Sequence, residues 1–355
     1  MTPAKLLLVQ AVDDGVMPGG VLLGWRRGSL PSVVAAGCAN LVDGRKMTPD
    51  TVFDLASLTK PLATVPAIMT LIAQQAIELE QPIGTLLPLI RAPEKQRITI
   101  RQLLCHMAGL PSHRPFYKKL RTLEAGKRKP ALRRLIVEEP LAYTPGSRSV
   151  YSDIDFMMLE WIVERVSGMR LDRFVTEKIY RPLGLDDLFF VDLGKPRPSG
   201  RRFAATERCP WRKRILDGEV HDDNAHVVGG IAGHAGLFGT AADIRTMLGR
   251  LLDAWQGGGH MFDTGLVRTF FQRQPGTDWA LGFDTPSQTG SSAGRLFSRR
   301  SVGHLGFTGA SFWMDLERSI IIILLTNRVH PTRENIRIRS FRPLIHEAAI
   351  KCLMD

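Results

Sequence analysis

The stretch Phe53-Asp54-Leu55-Ala56-Ser57-Leu58-Thr59-Lys60-Pro61 places a serine and a lysine three residues apart. On a helix, residues at this spacing lie on one face, where the Ser57 hydroxyl and the Lys60 amine can exchange a proton. Pro61 lacks an N–H and is tolerated near a helix start, so a helix is predicted to begin within a residue or two of Ser57. Unpaired N–H groups beside the hydroxyl could then hold an oxyanion. A capping serine followed by a surface lysine is the alternative interpretation of so short a motif.

The composition is that of an ordinary globular protein. Of the 355 residues, 44% are hydrophobic and 23% are charged. A chain of this length is long enough for two domains or for one domain with a large insertion. The apolar run Leu6–Val9 is too short for a secretory signal and has no small-residue cleavage site after it, which predicts a cytoplasmic protein. The run Ile320–Leu325 is too short to cross a bilayer and is predicted to be a buried strand. No membrane partner is expected.

The formal net charge of +12 raises the question of an anionic partner. Positive residues gather in 118–134, 195–214 and 328–342, but few aromatic residues are interleaved with them and no nucleic-acid-binding motif accompanies them. A solvated basic surface is therefore predicted, without a nucleic-acid partner. The four cysteines show no Cys-x-x-Cys spacing, which argues against a disulfide framework or a zinc knot.

Strand-like patterns lie near both ends of the chain. A hairpin is predicted from Gly19–Trp25 and Ser32–Gly37. In the last part of the chain, a helix is predicted at 241–255, three further strands within 301–327, and a terminal helix at about 344–353. Strands from both ends are expected to share one antiparallel sheet flanked by helices.

The middle of the chain has a different residue pattern from the two ends. Residues 81–214 contain twelve prolines between helical segments and show no convincing strand alternation. The predicted organisation is an α/β domain made of residues 1–80 and 215–355, with a mainly helical domain inserted at 81–214.

Two further elements can carry chemistry. Tyr151-Ser152-Asp153 stands just before a predicted helix, where a tyrosine can be exposed and directed, although a rim or core aromatic is the plainer interpretation. In His304-Leu305-Gly306, a glycine interrupts a strand pattern, which marks either a bulge or a place where a ligand or another backbone comes close.

Together these elements resemble the serine β-lactamase and penicillin-binding protein superfamily. The closest branch holds class C β-lactamases, D-alanyl-D-alanine carboxypeptidases and related esterases. Ser57 to Lys60 match Ser-x-x-Lys, Tyr151 to Asp153 resemble Tyr-x-Asn, and His304 to Gly306 stand where Lys-Thr-Gly would be, in the expected order. The resemblance implies a β-lactamase/transpeptidase-like α/β fold.

The resemblance also implies roles for these residues. Ser57 would attack the carbonyl of an amide or ester and form an acyl-enzyme, Lys60 and Tyr151 would move its proton, and the N–H groups of Ser57 and Phe307 would form the oxyanion hole. No metal or cofactor is required. An esterase, a D-amino-acid peptidase and a muropeptide amidase are not separated by the sequence, nor is the oligomeric state defined. The alternative is a catalytically silent member of the fold that binds a peptide or glycan.

Two departures from the family pattern affect the expected substrate, a small molecule or peptide. Asp153 replaces an asparagine of the family pattern, and His304 replaces a lysine. Because histidine is largely neutral at pH 7, the site loses a permanent cation, which favours substrates without a carboxylate. Asp153, His304 and Gly306 remain expected substrate-binding positions, and Asp222 and Asn224 are expected to contact the substrate from a loop. A metal site in the histidine-containing segment 221–234 is a weaker interpretation, because its spacing is not that of a zinc helix.

Overall fold

The computed structural model describes residues 1–259 and 261–354, which form eleven β-strands and twelve α-helices. In chain order the strands are β1 (Gly19–Arg26), β2 (Ser32–Asn40), β3 (Arg45–Lys46), β4 (Phe53–Asp54), β5 (Leu188–Phe190), β6 (Arg208–Cys209), β7 (Arg214–Ile215), β8 (Leu237–Gly239), β9 (Val302–Leu305), β10 (Ser311–Asp315) and β11 (Ile320–Thr326). The helices are α1 (Thr2–Asp13), α2 (Val65–Ala73), α3 (Pro93–Gln96), α4 (Ile100–Leu104), α5 (Tyr117–Leu120), α6 (Ala125–Glu138), α7 (Asp153–Ser167), α8 (Leu171–Val175), α9 (Asp223–Val227), α10 (Ala241–Trp255), α11 (Thr264–Phe271) and α12 (Ile338–Met354).

The main sheet joins the two ends of the chain. Its six strands lie in the order β3-β2-β1-β11-β10-β9, and all neighbouring pairs are antiparallel. Leu22 of β1 pairs with Leu324 of β11 on one side and with Val34 of β2 on the other. The antiparallel sheet predicted from both termini is therefore confirmed.

Helices cover both faces of this sheet. Along β11, which is buried throughout, alternate side chains point to opposite faces. Ile322 and Leu324 pack in the cluster that includes α1 and α12, whereas Ile321 and Ile323 pack in the larger cluster that includes α2, α7 and α10. A strand covered on both faces is expected to be continuously apolar, as this one is.

The helix that carries Ser57 and Lys60 is the core helix of the larger cluster. It begins with a 3₁₀ turn at Ala56–Leu58, continues through a π-helical turn at Lys60–Thr64 and becomes α2. By length and composition Ala56–Ala73 could cross a membrane, but 78% of it is buried inside the protein, as in a core helix.

The middle of the chain is mostly helical from α3 to α8, but it is not free of strands. Within the predicted insertion, β5 pairs with β8, which in turn pairs with β4 just before Ser57. The short hairpin of β6 and β7 also lies at its end. Strands of two or three residues are too short to show a period-two pattern, which explains why the sequence did not reveal them. The domain limits at 81 and 214 stay predictions.

Candidate active site

Ser57 is held at a strained helix start. The preceding Ala56 has a φ of +47°, an uncommon value for a residue with a side chain, and its N–H donates to Asp54 Oδ1 at 2.8 Å. Asp54 Oδ2 accepts the His221 N–H at 2.6 Å, so the buried carboxylate ties this turn to the segment before α9. The Ser57 hydroxyl is thereby presented at the wall of a cavity, while residues 58–69 of the helix stay buried.

Lys60 is fully buried, and its ammonium group uses three hydrogen bonds. Nζ donates to Ser57 Oγ at 3.1 Å, to Asp153 Oδ1 at 2.8 Å and to the His234 carbonyl at 3.2 Å. Burial alone would lower the pKa of Lys60, but the charges of Asp153 and Tyr151 outweigh it and raise that pKa above its ordinary value. Lys60 is therefore a cation in the free site and a donor toward Ser57.

Tyr151 and Asp153 lie at the start of α7. Ser152 caps this helix, because its Oγ accepts the N–H groups of Ile154 and Asp155 and donates to the Pro111 carbonyl. The Tyr151 ring lies 4.8 Å from Lys60 Nζ, and burial raises the pKa of its hydroxyl while the Lys60 charge opposes that rise.

Asp153 is an ionised carboxylate. Burial would raise its pKa, but Lys60 and the His113 ring, 3.5 Å from Oδ2, hold the pKa of Asp153 well below its ordinary value. His113 is a partner that the sequence did not indicate, since a lone histidine in a loop carries no motif. Its own pKa is raised by the bond to Asp153.

His304 lies on β9 and is neutral. Its Nδ1 is 2.9 Å from the Leu305 carbonyl, and Nε2 has no partner among the residues that the structure describes. Burial, helped by the nearby Lys60 cation, lowers the pKa of His304 to about 3. The loss of a permanent cation at this position, expected from the sequence, is even more complete than an exposed histidine would give.

Gly306 and Phe307 bring β9 close to Ser57. A Cβ on Gly306 would lie 2.7 Å from the Leu55 carbonyl, so a glycine is needed for this approach of two backbones. Phe307 follows directly, and its carbonyl accepts two hydrogen bonds from Arg328. Its N–H donates no hydrogen bond within residues 1–259 and 261–354 and is available to an incoming oxyanion.

The loop before and within α9 mainly stabilises structure. Asn224 Oδ1 accepts the Tyr117 N–H at 2.8 Å and its Nδ2 donates to the Arg114 carbonyl at 2.9 Å, so this buried amide tethers the segment before α5. Asp222 caps α9 and lies 3.0 Å from His234 Nε2. Burial would raise the pKa of Asp222, but His234 holds it at about 2. Substrate contact by Asp222 and Asn224 stays a prediction, and the geometry of Asn224 favours a structural role instead.

The histidines of segment 221–234 do not converge. His221 bonds Glu207, His226 lies 3.6 Å from Glu219, and His234 bonds Asp222. Within the described part of the chain, no group of three or more histidine, cysteine or acidic side chains is arranged to hold a metal ion.

One cavity of about 340 Å³ is lined by Ser57, Tyr151, His304, Gly306 and Phe307. Lys60 is fully buried and reaches this site through its hydrogen bond to Ser57 Oγ. The cavity is also lined by five charged or aromatic residues that no motif in the sequence indicated, namely Trp279, Asp284, Arg328, Arg339 and Arg342. The arginines belong to the basic stretch 328–342, which was interpreted as solvated surface, because charge in a sequence does not show which way a side chain points.

Comparisons with known proteins agree with this geometry. A family model described as Beta-lactamase matches residues 5–345. A Salmonella paratyphi A protein named "Putative D-alanyl-D-alanine carboxypeptidase" is 33% identical over 316 residues, which cover 80% of this chain and 71% of the relative. A protein of the same name from Salmonella agona is 34% identical over 314 residues, with the same two coverages.

Solved structures share the fold at low sequence identity. EstCE1, a hydrolase with promiscuous acyltransferase activity, has a TM-score of 0.75 at 21% identity and covers 96% of this chain and 98% of its own. A penicillin-binding protein from Bacillus halodurans has a TM-score of 0.71 at 18% identity, covering 98% and 99%. SurE has a TM-score of 0.72 at 23% identity, covering 99% and 75%. The family match, the relatives and the shared fold together confirm the resemblance, and the chain belongs to the beta-lactamase family, as a serine hydrolase that acts on an amide or ester.

Proposed function

We propose that the chain forms an acyl-enzyme on Ser57 and that its substrate is a peptide-like amide ending in a carboxylate. The observation that carries the first part is the contact of Lys60 Nζ with both Ser57 Oγ and Asp153. Lys60 also lies beside Tyr151, and both Ser57 and Tyr151 line one cavity. A protein that only binds a ligand has no evident need for a buried lysine that donates hydrogen bonds to Ser57, Asp153 and the His234 carbonyl.

Tyr151 is the better acceptor for the Ser57 proton. Lys60 is stabilised as a cation by Asp153, so it cannot readily take a proton, but its positive charge favours a phenolate at Tyr151. The step starts from the phenolate form of Tyr151, which is a minor form because burial raises the pKa of this hydroxyl. As Ser57 Oγ bonds to the substrate carbonyl carbon, its proton passes to the phenolate oxygen of Tyr151. Tyr151 then returns the proton to the leaving nitrogen as the amide C–N bond breaks, which leaves the acyl group on Ser57.

The carbonyl oxygen becomes negative during this step and needs donors. The backbone N–H of Ser57 at the helix start and that of Phe307 after β9 are the proposed pair. The Gly306 approach supports this assignment, because it brings the second donor toward the turn that holds the first.

The proposed carboxylate preference rests on the arginines of the cavity. Arg342 is buried, donates to the Gly306 and Ala310 carbonyls, and its Nε has no partner among the described residues. Burial, together with repulsion from Arg328 and Arg339, lowers the pKa of Arg342 to about 9. Buried cations that repel one another are stabilised by an anion, so a substrate carboxylate would compensate for the lysine absent at His304.

Ester hydrolysis is the second candidate function. It is favoured by the neutral His304, which leaves the third element itself without a charge to select a carboxylate. The cytoplasmic location inferred from the sequence is part of this proposal, and it favours a soluble peptide fragment or small ester over intact cell wall.

The exposed Arg339 gives the cleanest test of the carboxylate preference. An acyl-D-alanyl-D-alanine peptide and its neutral C-terminal amide form a matched substrate pair. We expect Arg339→Ala to lower the ratio of kcat/KM for the acid over the amide about tenfold, the value of a charge-assisted hydrogen bond. Arg337→Ala removes an exposed arginine that donates to the Asp14 carbonyl, and it should leave the ratio unchanged. An unchanged ratio in Arg339→Ala would favour the esterase instead.

A further inference from the structure

We propose that Asp284 and Trp279 form a subsite, at the Gly303 end of β9, that binds an ammonium group of the substrate. This inference rests on the proposed function, since it assigns a second recognition element to the same cavity. Both residues line the cavity that contains Ser57 and Tyr151. Neither belongs to the motifs found in the sequence.

The backbone of Asp284 is fixed against the sheet. Its N–H donates to the Gly303 carbonyl at 2.8 Å, and the Gly303 N–H donates back at 2.9 Å, so Asp284 adds one rung beyond β9. A second bridge pairs Asp284 with Trp279 across a short turn. A side chain on so constrained a backbone is already positioned for a ligand, which lowers the entropy cost of binding.

The carboxylate of Asp284 lacks a charged partner. It forms no ion pair with any residue in 1–259 and 261–354, and the only groups favouring its charged form are the Thr285 N–H and the Arg273 cation. Arg273 is itself paired with Asp278. Burial dominates and raises the pKa of Asp284 to about 7. A partly buried carboxyl in a substrate cavity gains most from a ligand that brings a positive charge.

Aromatic rings complete the subsite. The Trp279 and Tyr151 ring centroids are 5.5 Å apart, and the Trp279 and His304 rings are 5.6 Å apart, with both side chains also lining the cavity. Since the faces of tryptophan and tyrosine attract cations, a carboxylate beside them is the chemistry that recognises ammonium groups. Lys60 Nζ lies 4.8 Å from the Tyr151 ring, but its charge is neutralised by the ion pair with Asp153.

The cavity is consequently charged with opposite signs along β9. Asp284 lies beside Gly303, whereas Arg342 binds the Gly306 carbonyl, and three residues of strand separate these points by roughly 10 Å. The substrate class that matches both ends is a short zwitterionic peptide. Its ammonium group would lie at Asp284 and its carboxylate at the arginines.

A pair of isosteric p-nitrophenyl esters isolates the ammonium subsite, because neither ester carries a carboxylate. The 4-(trimethylammonio)butanoyl ester is cationic, and the 5,5-dimethylhexanoyl ester has the same shape without charge. We expect the wild type to prefer the cationic ester, and Asp284→Asn to lower the ratio of the two kcat/KM values at least tenfold. Asp284→Lys should invert the preference. Asp13→Asn, which removes an exposed carboxylate at the end of α1 and outside the cavity lining, is the matched control and should keep the wild-type ratio.

The outcomes separate the two proposals. If the wild type and Asp13→Asn hydrolyse both esters but the ratio is the same in Asp284→Asn, the ammonium subsite is wrong while the hydrolase proposal stands. If neither ester acylates the wild type, the proposed function itself fails. A thermal melt of each variant distinguishes lost specificity from lost folding, and Asp284→Ser provides a second neutral variant if Asp284→Asn does not fold.

Discussion

Asp153 is the residue at which this site differs most from the family pattern it resembles. An asparagine there would share hydrogen bonds with Lys60, whereas the carboxylate forms an ion pair at 2.8 Å. Its charge raises the pKa of both Lys60 and Tyr151. The free enzyme therefore holds both catalytic protons more tightly than an asparagine-containing site would.

Asp153→Asn is predicted to extend activity to lower pH. Removing the negative charge lowers the pKa of Lys60 and of Tyr151, so the catalytic base becomes deprotonated at lower pH. The acidic limb of the kcat/KM profile therefore shifts to lower pH. The measurement is a pH profile on a neutral p-nitrophenyl ester, whose own charge does not change. Asp217→Asn, at a remote ion pair with Arg45, should leave the limb in place. A limb that stays fixed in Asp153→Asn would show that neither Lys60 nor Tyr151 sets it.

At the residue scale, the sequence shows which chemical group a side chain carries, but it does not show what surrounds that group in the folded protein. A neutral His304 followed from its ordinary pKa, but its lowering to about 3 depends on burial beside Lys60. Asn224 was expected to face the substrate, yet both ends of its amide bond the backbone of residues 114 and 117. Which atoms a polar side chain satisfies is decided by the tertiary structure.

At the scale of elements, the start of α7 determines the site, because it sets the directions of Tyr151 and Asp153 together. The Ser152 cap joins the N–H groups of Ile154 and Asp155 to the Pro111 carbonyl. The cap therefore fixes the helix start both locally and against the segment before α5.

Ser152→Ala is predicted to lose both stability and activity. Loss of the cap should lower the free energy of unfolding by about 1 kcal/mol, measured by urea titration, and lower kcat/KM roughly tenfold, because displacing catalytic groups by even a small distance is costly. Thr240→Ala removes the corresponding cap of α10, where Thr240 accepts the Asp243 N–H, and should lose stability alone. Equal activity in the two variants would mean that the cap does not position the site.

Long, periodic elements were predictable and short ones were not. The β1–β2 hairpin, α10 and the last three strands follow the predicted segments closely, since apolar periodicity and turn residues define them. The terminal helix is longer than predicted, because Pro343 lies inside α12 rather than before it. The short strands β4, β5 and β8 depend on pairing partners far away in the chain, whereas β6 and β7 form a local hairpin of two-residue strands that are too short to show a pattern.

At the scale of the whole molecule, the antiparallel sheet assembles the site from distant parts of the chain. Ser57 follows β4, Tyr151 precedes α7, and His304 lies on the edge strand β9 that only the joining of both termini brings near them. α12 packs on β1 and β11, and its arginines reach the same cavity. The order of the motifs predicted that Ser57, Tyr151 and His304 come together. The approach of the α12 arginines to the cavity depends on how that helix docks on the sheet, and no sequence pattern indicated it.

The central claim is that this assembly makes Ser57 a nucleophile, and covalent labelling tests it most directly. The protein is treated with a fluorophosphonate probe, and the adduct is located by peptide mass spectrometry. The account predicts one adduct, on Ser57, with much slower labelling in Lys60→Ala and Tyr151→Phe and no turnover of p-nitrophenyl esters by Ser57→Ala. Labelling at another residue, or near wild-type turnover by Ser57→Ala, would contradict it.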